Sequence, residues 1–136
     1  MVAEDLMSPS PHIVSVTESI RQVLRKLVES DVRHLPVIDA GRLVGMVSDR
    51  DMRRLVHPLF ELSPASAARR DDLERPISAL MSSDVISVHP ETDAREVIDL
   101  MIEHEIGAVP VTEADSLKLL GIISYVDVLE AARDVL

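Results

Sequence analysis

Apolar side chains recur at three- and four-residue intervals in two stretches of the chain. Ile20, Val23, Leu24, Leu27 and Val28 fall at i, i+3, i+4, i+7 and i+8, and Ala94, Val97, Ile98, Met101 and Ile102 repeat that spacing. Each set lays one apolar stripe along a helix. Thr17 and Thr92 are the expected N-caps, to within a residue. Short β-branched runs surround both helices. "IVSV" and "VISV" precede them, "HLPVID" and "AVPVTE" follow, and "LVGMVS" and "LLGIIS" come next. These predict strands. Pro36 and Pro110 stand near the starts of the second strands, where a missing amide does least harm. "DAGR", with Gly41, predicts a tight turn, and "EADSLK" a longer, more mobile loop. Ser48 and Ser124 mark a change from strand to a final helix.

The same order of elements occurs twice, so the chain reads as an internal repeat. "EDLMSPSPHIVSV" answers "SALMSSDVISV", and "LVGMVSDRDMRRL" answers "LLGIISYVDVLEA". The offset drifts from 72 (Val16 to Val88) through 74 (Pro36 to Pro110) to 76 (Gly45 to Gly121). Each copy is strand–helix–strand–strand–helix, with a right-handed parallel crossover. A half of about 60 residues without a large aromatic core would hardly stand alone. The fold class expected is therefore α+β: two βαββα repeats packed as a pseudo-two-fold pair, each with a small mixed three-stranded sheet. The domains expected are repeat one with the N-terminal segment at 1–58, a linker at 59–75 that is helical around Ala65 to Leu73, and repeat two at 76–136.

Composition narrows the chemistry. Phe60 and Tyr125 are the only aromatics among 136 residues, so the core must be aliphatic. The absence of cysteine excludes disulfides, thiolate catalysis and Cys-based zinc sites, and fits a cytoplasmic location. No apolar run reaches membrane-spanning length, and the N-terminus lacks the pattern of a signal peptide. The net charge of −10 disfavours nucleic acid and anionic membranes as partners. That charge is uneven: residues 1–70 hold 10 basic and 9 acidic side chains, while residues 71–136 hold 4 and 15. The two copies therefore face anions differently.

The "LPV" and "VPV" strands, together with "GMVSDRD" and "GIISYVD", resemble those of tandem cystathionine-β-synthase (CBS) domains, also called a Bateman module. The resemblance covers nearly the whole chain apart from the linker. It implies a regulatory module that senses an adenosine-containing ligand such as AMP, ADP, ATP or S-adenosylmethionine. Such a module modulates an attached or separate partner protein and often forms a homodimer. The alternative is a ligand-free dimerisation or protein-interaction module.

Read by itself, Ser-x-x-Asp before an apolar helical run is a capping box. Ser48 and Ser124 would cap the final helices, with Asp51 and Asp127 in the first turn near the positive dipole end. The same geometry suits a nucleotide. The Ser hydroxyl and helix amides offer donors to a phosphate, and an ionised Asp can accept from a ribose diol. The resemblance gives the Ser this phosphate role and the Asp this ribose role. It also places adenine against Val14, Val32, Arg33 and His34 in copy one and against Ile86, Ile106, Gly107 and Ala108 in copy two, beside Pro36 and Pro110. Taken singly, Val14, Val32, Ile86 and Ile106 are ordinary core positions.

Copy one offers Arg33, His34, Arg50, Arg53 and Arg54 around its candidate cleft, and guanidinium groups suit phosphate oxygens. Copy two has Gly107, Ala108, Tyr125 and Val126 in the comparable places. Copy one is expected to be the better phosphate site. Copy two is expected to be empty or to take a less anionic adenosyl ligand. Arg53 and Arg54 read as a solvated face, paired with Asp49 or Asp31. The acidic run Asp93, Glu96, Asp99, Glu103 and Glu105 reads likewise. The five histidines are scattered, which argues against a metal site. No nucleophile–base pair, metal triad or Gly-rich phosphate loop supports an enzyme.

Overall fold

The computed structural model describes residues 1–53 and 71–136. Arg54 and linker positions 59–70, with most of the helix expected at Ala65–Leu73, lie outside the described residues. In chain order the elements are α1 (Ala3–Leu6), β1 (Ser8–Pro9), β2 (Val14–Ser15), α2 (Ile20–Ser30), β3 (His34–Asp39) and β4 (Arg42–Ser48). A helical turn at 49–53 follows. Then come 3-10 turns at Asp71–Glu74 and Ile77–Ala79, α3 (Ala94–His104), β5 (Ala108–Thr112), β6 (Leu119–Ser124) and α4 (Tyr125–Val135). The fold is α+β with two three-stranded sheets, β2-β3-β4 and β1-β6-β5.

The chain forms two compact units. One comprises His12–Asp39 and Val44–Val85; the other comprises Met1–Pro11, Ala40–Leu43 and Ile86–Leu136. In the first, Val14, Ile20, Val23, Leu27, Leu35, Val37, Val47, Met52, Leu73 and Ile77 form an aliphatic core. In the second, Ala3, Leu6, Val88, Val97, Met101, Val109, Val111 and Ile123 do so. The buried faces of α2 and α3 are those the periodicity predicts, through Ile20, Val23 and Leu27 and through Val97 and Met101.

The cap of α3 falls within a residue of Thr92, as expected, while that of α2 lies two residues past Thr17. Ser19 caps α2 through a reciprocal box: its hydroxyl accepts Gln22 N at 3.2 Å, and Gln22 Oε1 accepts Ser19 N at 2.8 Å. Thr17 bonds Ser15 instead, at 3.0 Å. Asp93 caps α3 by accepting Arg95 N at 2.8 Å, while the Thr92 hydroxyl closes the preceding turn on His89 N at 3.0 Å. Both helices end on an acidic residue in the left-handed region, Asp31 and Glu105, each at φ 52°. The tight turn is formed by Ala40 at φ 51° and Gly41 at φ 80°, the positive pair that a two-residue hairpin demands.

The first strands correct the register read from the sequence. β2 runs parallel to β3 with Val14 opposite Val37, and Val88 bridges Val111 in the same sense. Val37 and Val111 are 74 apart, so Val14 answers Val88 and the offset of 72 does not hold in space. "VISV" also fails to make a strand beyond that bridge. Val88 N donates to Pro110 O at 3.0 Å and Thr112 N to Val88 O at 2.9 Å. On one side Pro110 has no N–H to offer Ile86. On the other, Pro90 stands where copy one has Val16, whose N–H donates to Ile38 O at 3.0 Å. Prolines thus stop the ladder at both ends. The His89 ring nitrogen reaches Thr112 O instead, at 3.3 Å.

Each sheet gains a last member that the repeat does not suggest. β1 pairs antiparallel with β6, Ser8 opposite Ile122, and Ser82 bridges Met46 in the other unit, each backbone N–H donating at 2.9 Å. The "LMS" that opens one sequence copy thus lies against the third strand of the other copy. This explains the glycine of both repeated phrases. A β-carbon on Gly45 would lie 2.5 Å from Met81 Sδ and 3.0 Å from Ser82 O; one on Gly121 would lie 2.7 Å from Met7 Sδ and 2.8 Å from Ser8 O. Only glycine lets backbone and methionine come this close.

Candidate functional site

Each repeated phrase folds as a strand end, a box and a helix start. In copy one, Ser48 N donates to Asp51 Oδ2 at 3.0 Å and Asp51 N to Ser48 Oγ at 3.2 Å. In copy two, Ser124 N donates to Asp127 Oδ2 at 2.8 Å and Asp127 N to Ser124 Oγ at 3.2 Å. The capping reading of the motif is therefore what the chain does with it. Such a cap stabilises a helix by about 1 kcal/mol. Oδ2 of each carboxylate makes the box, and among the described residues Oδ1 carries no further bond, so it can accept from a donor outside. All four side chains are half-buried.

A second feature fixes the box against the neighbouring strand. Asp49 N, the first amide of the helical turn, donates to Arg33 O at 2.8 Å, and Tyr125 N donates to Gly107 O at 2.9 Å. One orphan amide of each helix start is thereby spent on the residue that precedes β3 or β5. The sequence reading missed these ties. Their signal was the common spacing from Arg33 or Gly107 to the Ser-x-x-Asp phrase, which differs between copies only by the longer second loop.

In copy one the structure brings Arg33, His34, Ser48, Asp49 and Asp51 together around this tie. Arg33 is exposed and His34 half-buried. Burial lowers the His34 pKa below the usual histidine value; the Asp49 and Asp51 carboxylates oppose that shift, and the Arg33 charge adds to it. Val14 and Pro36 are buried in β2 and β3, and Val32 is half-buried before β3. Arg50 is exposed. Arg53 pairs with Asp49 at 3.2 Å on the helix surface, the solvated-face arrangement expected of it.

In copy two Gly107 is half-buried, and Ala108 and Pro110 are buried in β5. Ala108 stands opposite Ser124 across the β5–β6 ladder, so the strand start and the box share one end of the sheet. Ile106 is half-buried against the core. Ile86 is half-buried too, but the register makes Val88 the counterpart of Val14. Asp93, Glu96, Asp99, Glu103 and Glu105 are all exposed. Among the described residues no three His, Asp or Glu side chains converge so as to hold a metal ion, and no helix is long and apolar enough to cross a membrane.

The CBS domain family matches residues 2–58 and 77–134. The chain belongs to the CBS domain family. Among curated relatives, MJ1225 of Methanocaldococcus jannaschii is 27% identical over 130 residues, spanning 95% of this chain and 46% of its own length. The homoserine O-acetyltransferase of Methanocorpusculum labreanum is 30% identical over 125 residues, spanning 91% of this chain and 23% of its own. The chain thus spans less than half the length of these two CBS relatives. Among solved structures, CBSX2 of Arabidopsis thaliana in complex with AMP is 30% identical, with a TM-score of 0.83, over 98% of this chain and 97% of its own.

Proposed function

We propose that the chain is a regulatory CBS pair that binds an adenosine-containing ligand and thereby modulates a partner protein. The observation that carries this reading is the likeness to CBSX2, which holds AMP and matches almost end to end. The two Ser–Asp boxes supply fitting chemistry. Asp51 Oδ1 and Asp127 Oδ1 would accept from the ribose diol, and Ser48 and Ser124 would stand toward the phosphate side. Val14, Val32 and the backbone of Arg33 and His34 would hold adenine in copy one, with Pro36 behind. Ile106, Gly107, Ala108 and Pro110 would do so in copy two, with Val88, the counterpart of Val14 in register, taking the place the sequence reading gave to Ile86. Arg33, His34 and Arg50 make copy one the phosphate-preferring site. The match to only 23% of an O-acetyltransferase supports a module that acts on an enzyme without being one.

A thermal-melt screen with AMP, ADP, ATP and S-adenosylmethionine tests the reading. A ligand bound only by the native state raises the melting temperature, by an amount equivalent to about 2.7 kcal/mol at a hundredfold excess over its Kd. No shift with any of the four would reject it.

A second reading has its own support. α4 contains no buried residue, and it leaves Val126 and Leu129 exposed at i and i+3, Leu129 to 61%. We read this face as the contact of a homodimer. Alone, without ligand binding, it would make the chain an interaction module. Sedimentation of wild type and Leu129→Glu tests the dimer; a monomeric wild type would reject it.

A further inference from the structure

Both copies tie the start of a strand to the first amide of a helix, and both set a Ser–Asp box beside that tie. The side chain at the strand start differs: His34 opens β3, and Ala108 opens β5. His34 is half-buried. Among the described residues the charged groups that face it are Asp49 and Asp51 from the helical turn at 49–53 and Arg33 from its own segment. Burial prevails over the two carboxylates, so the ring is neutral at neutral pH. A phosphate arriving near Ser48 and Arg33 would add about 1.5 to 2 negative charges. That charge favours the imidazolium, which donates from both ring nitrogens.

We propose that His34 takes up a proton when a phosphorylated adenosine ligand occupies copy one, making this side chain a determinant of preference for phosphorylated over unphosphorylated ligands. This rests on the ligand reading above and adds a coupled proton to it. Copy two, with Ala108, has no counterpart and binds without that uptake. The preference at copy one is therefore tunable by pH across the range in which histidine titrates. AMP and adenosine differ only in the phosphate, so together they isolate the effect.

Two measurements on the full chain test it. Calorimetry of AMP and adenosine at pH near 7, in buffers of different ionisation enthalpy, counts protons. Wild type should take up as much as about half a proton more per AMP than His34→Gln does, the most that a shift of one pKa unit allows, and none with adenosine. His34→Gln should weaken AMP by up to about threefold at this pH, the most that a shift of one pKa unit gives a ring that starts out neutral, and should weaken AMP more than adenosine. The His34 ring signal in the NMR spectrum of wild type, titrated with and without AMP, should move its midpoint upward when AMP is present; this holds even if the variant fails to fold. AMP binding with equal proton counts in both proteins, or an unmoved midpoint, overturns the proposal and leaves the ligand reading standing. Folded wild type that binds neither compound overturns the proposal, and the melt screen with ATP and S-adenosylmethionine then decides the ligand reading separately.

Discussion

Copy one and copy two hold the same backbone device in different chemical surroundings. Each has a Ser–Asp box with distances of 2.8 to 3.2 Å. Each has the same amide-to-carbonyl tie and the same glycine under a methionine. Around the first stand Arg33, His34 and Arg50, and around the second Gly107, Ala108 and Val126. The duplicated parts are those that backbone hydrogen bonding and close packing require. The parts that differ are side chains whose replacement leaves the fold intact. Capping alone accounts for the box, so the difference in charge is where the two copies can differ in ligand.

The glycines give the largest test of structural equivalence. Gly121→Val should lower the unfolding free energy by about 3 kcal/mol and Gly45→Val by about 2 kcal/mol, as overpacked sites do. The asymmetry is expected because the nearest backbone oxygen is closer at Gly121, 2.8 Å against 3.0 Å, and a methionine can withdraw where a carbonyl cannot. Urea denaturation of both variants measures it.

The aspartates test functional equivalence. Asp51→Ala should weaken AMP binding by about tenfold or more, the loss of a charged hydrogen bond. Asp127→Ala should change it less. Equal losses in equilibrium titrations would erase the ranking of the copies. Both variants should also lose about 1 kcal/mol of stability with the cap, so the binding comparison is made below either melting temperature.

The helix ends should behave alike in both copies. Asp31→Gly and Glu105→Gly each relieve a left-handed backbone at φ 52° and remove an acid from the negative end of a helix. Each should raise stability by about 0.5 to 1 kcal/mol in urea melts. Unequal gains would show that the two helices are held differently.

The smallest effect belongs to His34. Its folded pKa lies below the unfolded value, so between the two the unfolded chain binds more protons and stability rises with pH. The contribution is present above about 6.5 and is lost as the pH falls toward the lowered folded value. Melting temperatures across that window should fall more steeply for wild type than for His34→Gln.

Much of this was legible along the chain. Ile20, Val23 and Leu27 and their counterparts Val97 and Met101 announced their helices by spacing. Ser48 and Asp51 announced their box, because bonds three residues apart depend only on the local backbone. The first strands were not legible in register. "IVSV" and "VISV" look alike, but a ladder needs amides on its partner, and Pro110 and Pro90 withhold them. The role of "LMS" was also hidden. Both copies carry it, yet nothing nearby in the sequence says that Met7 lies on Gly121 or Met81 on Gly45.

The sequence by itself determined the two amphipathic helices, the strands that follow them and the capping of the last helices, since each depends on contacts within a turn or two. Only the tertiary structure decided the spatial match of Val14 with Val88, the glycine requirement at Gly45 and Gly121, and the placement of His34 beside Asp49 and Asp51. Those depend on which distant segment supplies a hydrogen-bond partner or fills a space, and that is settled when the chain packs.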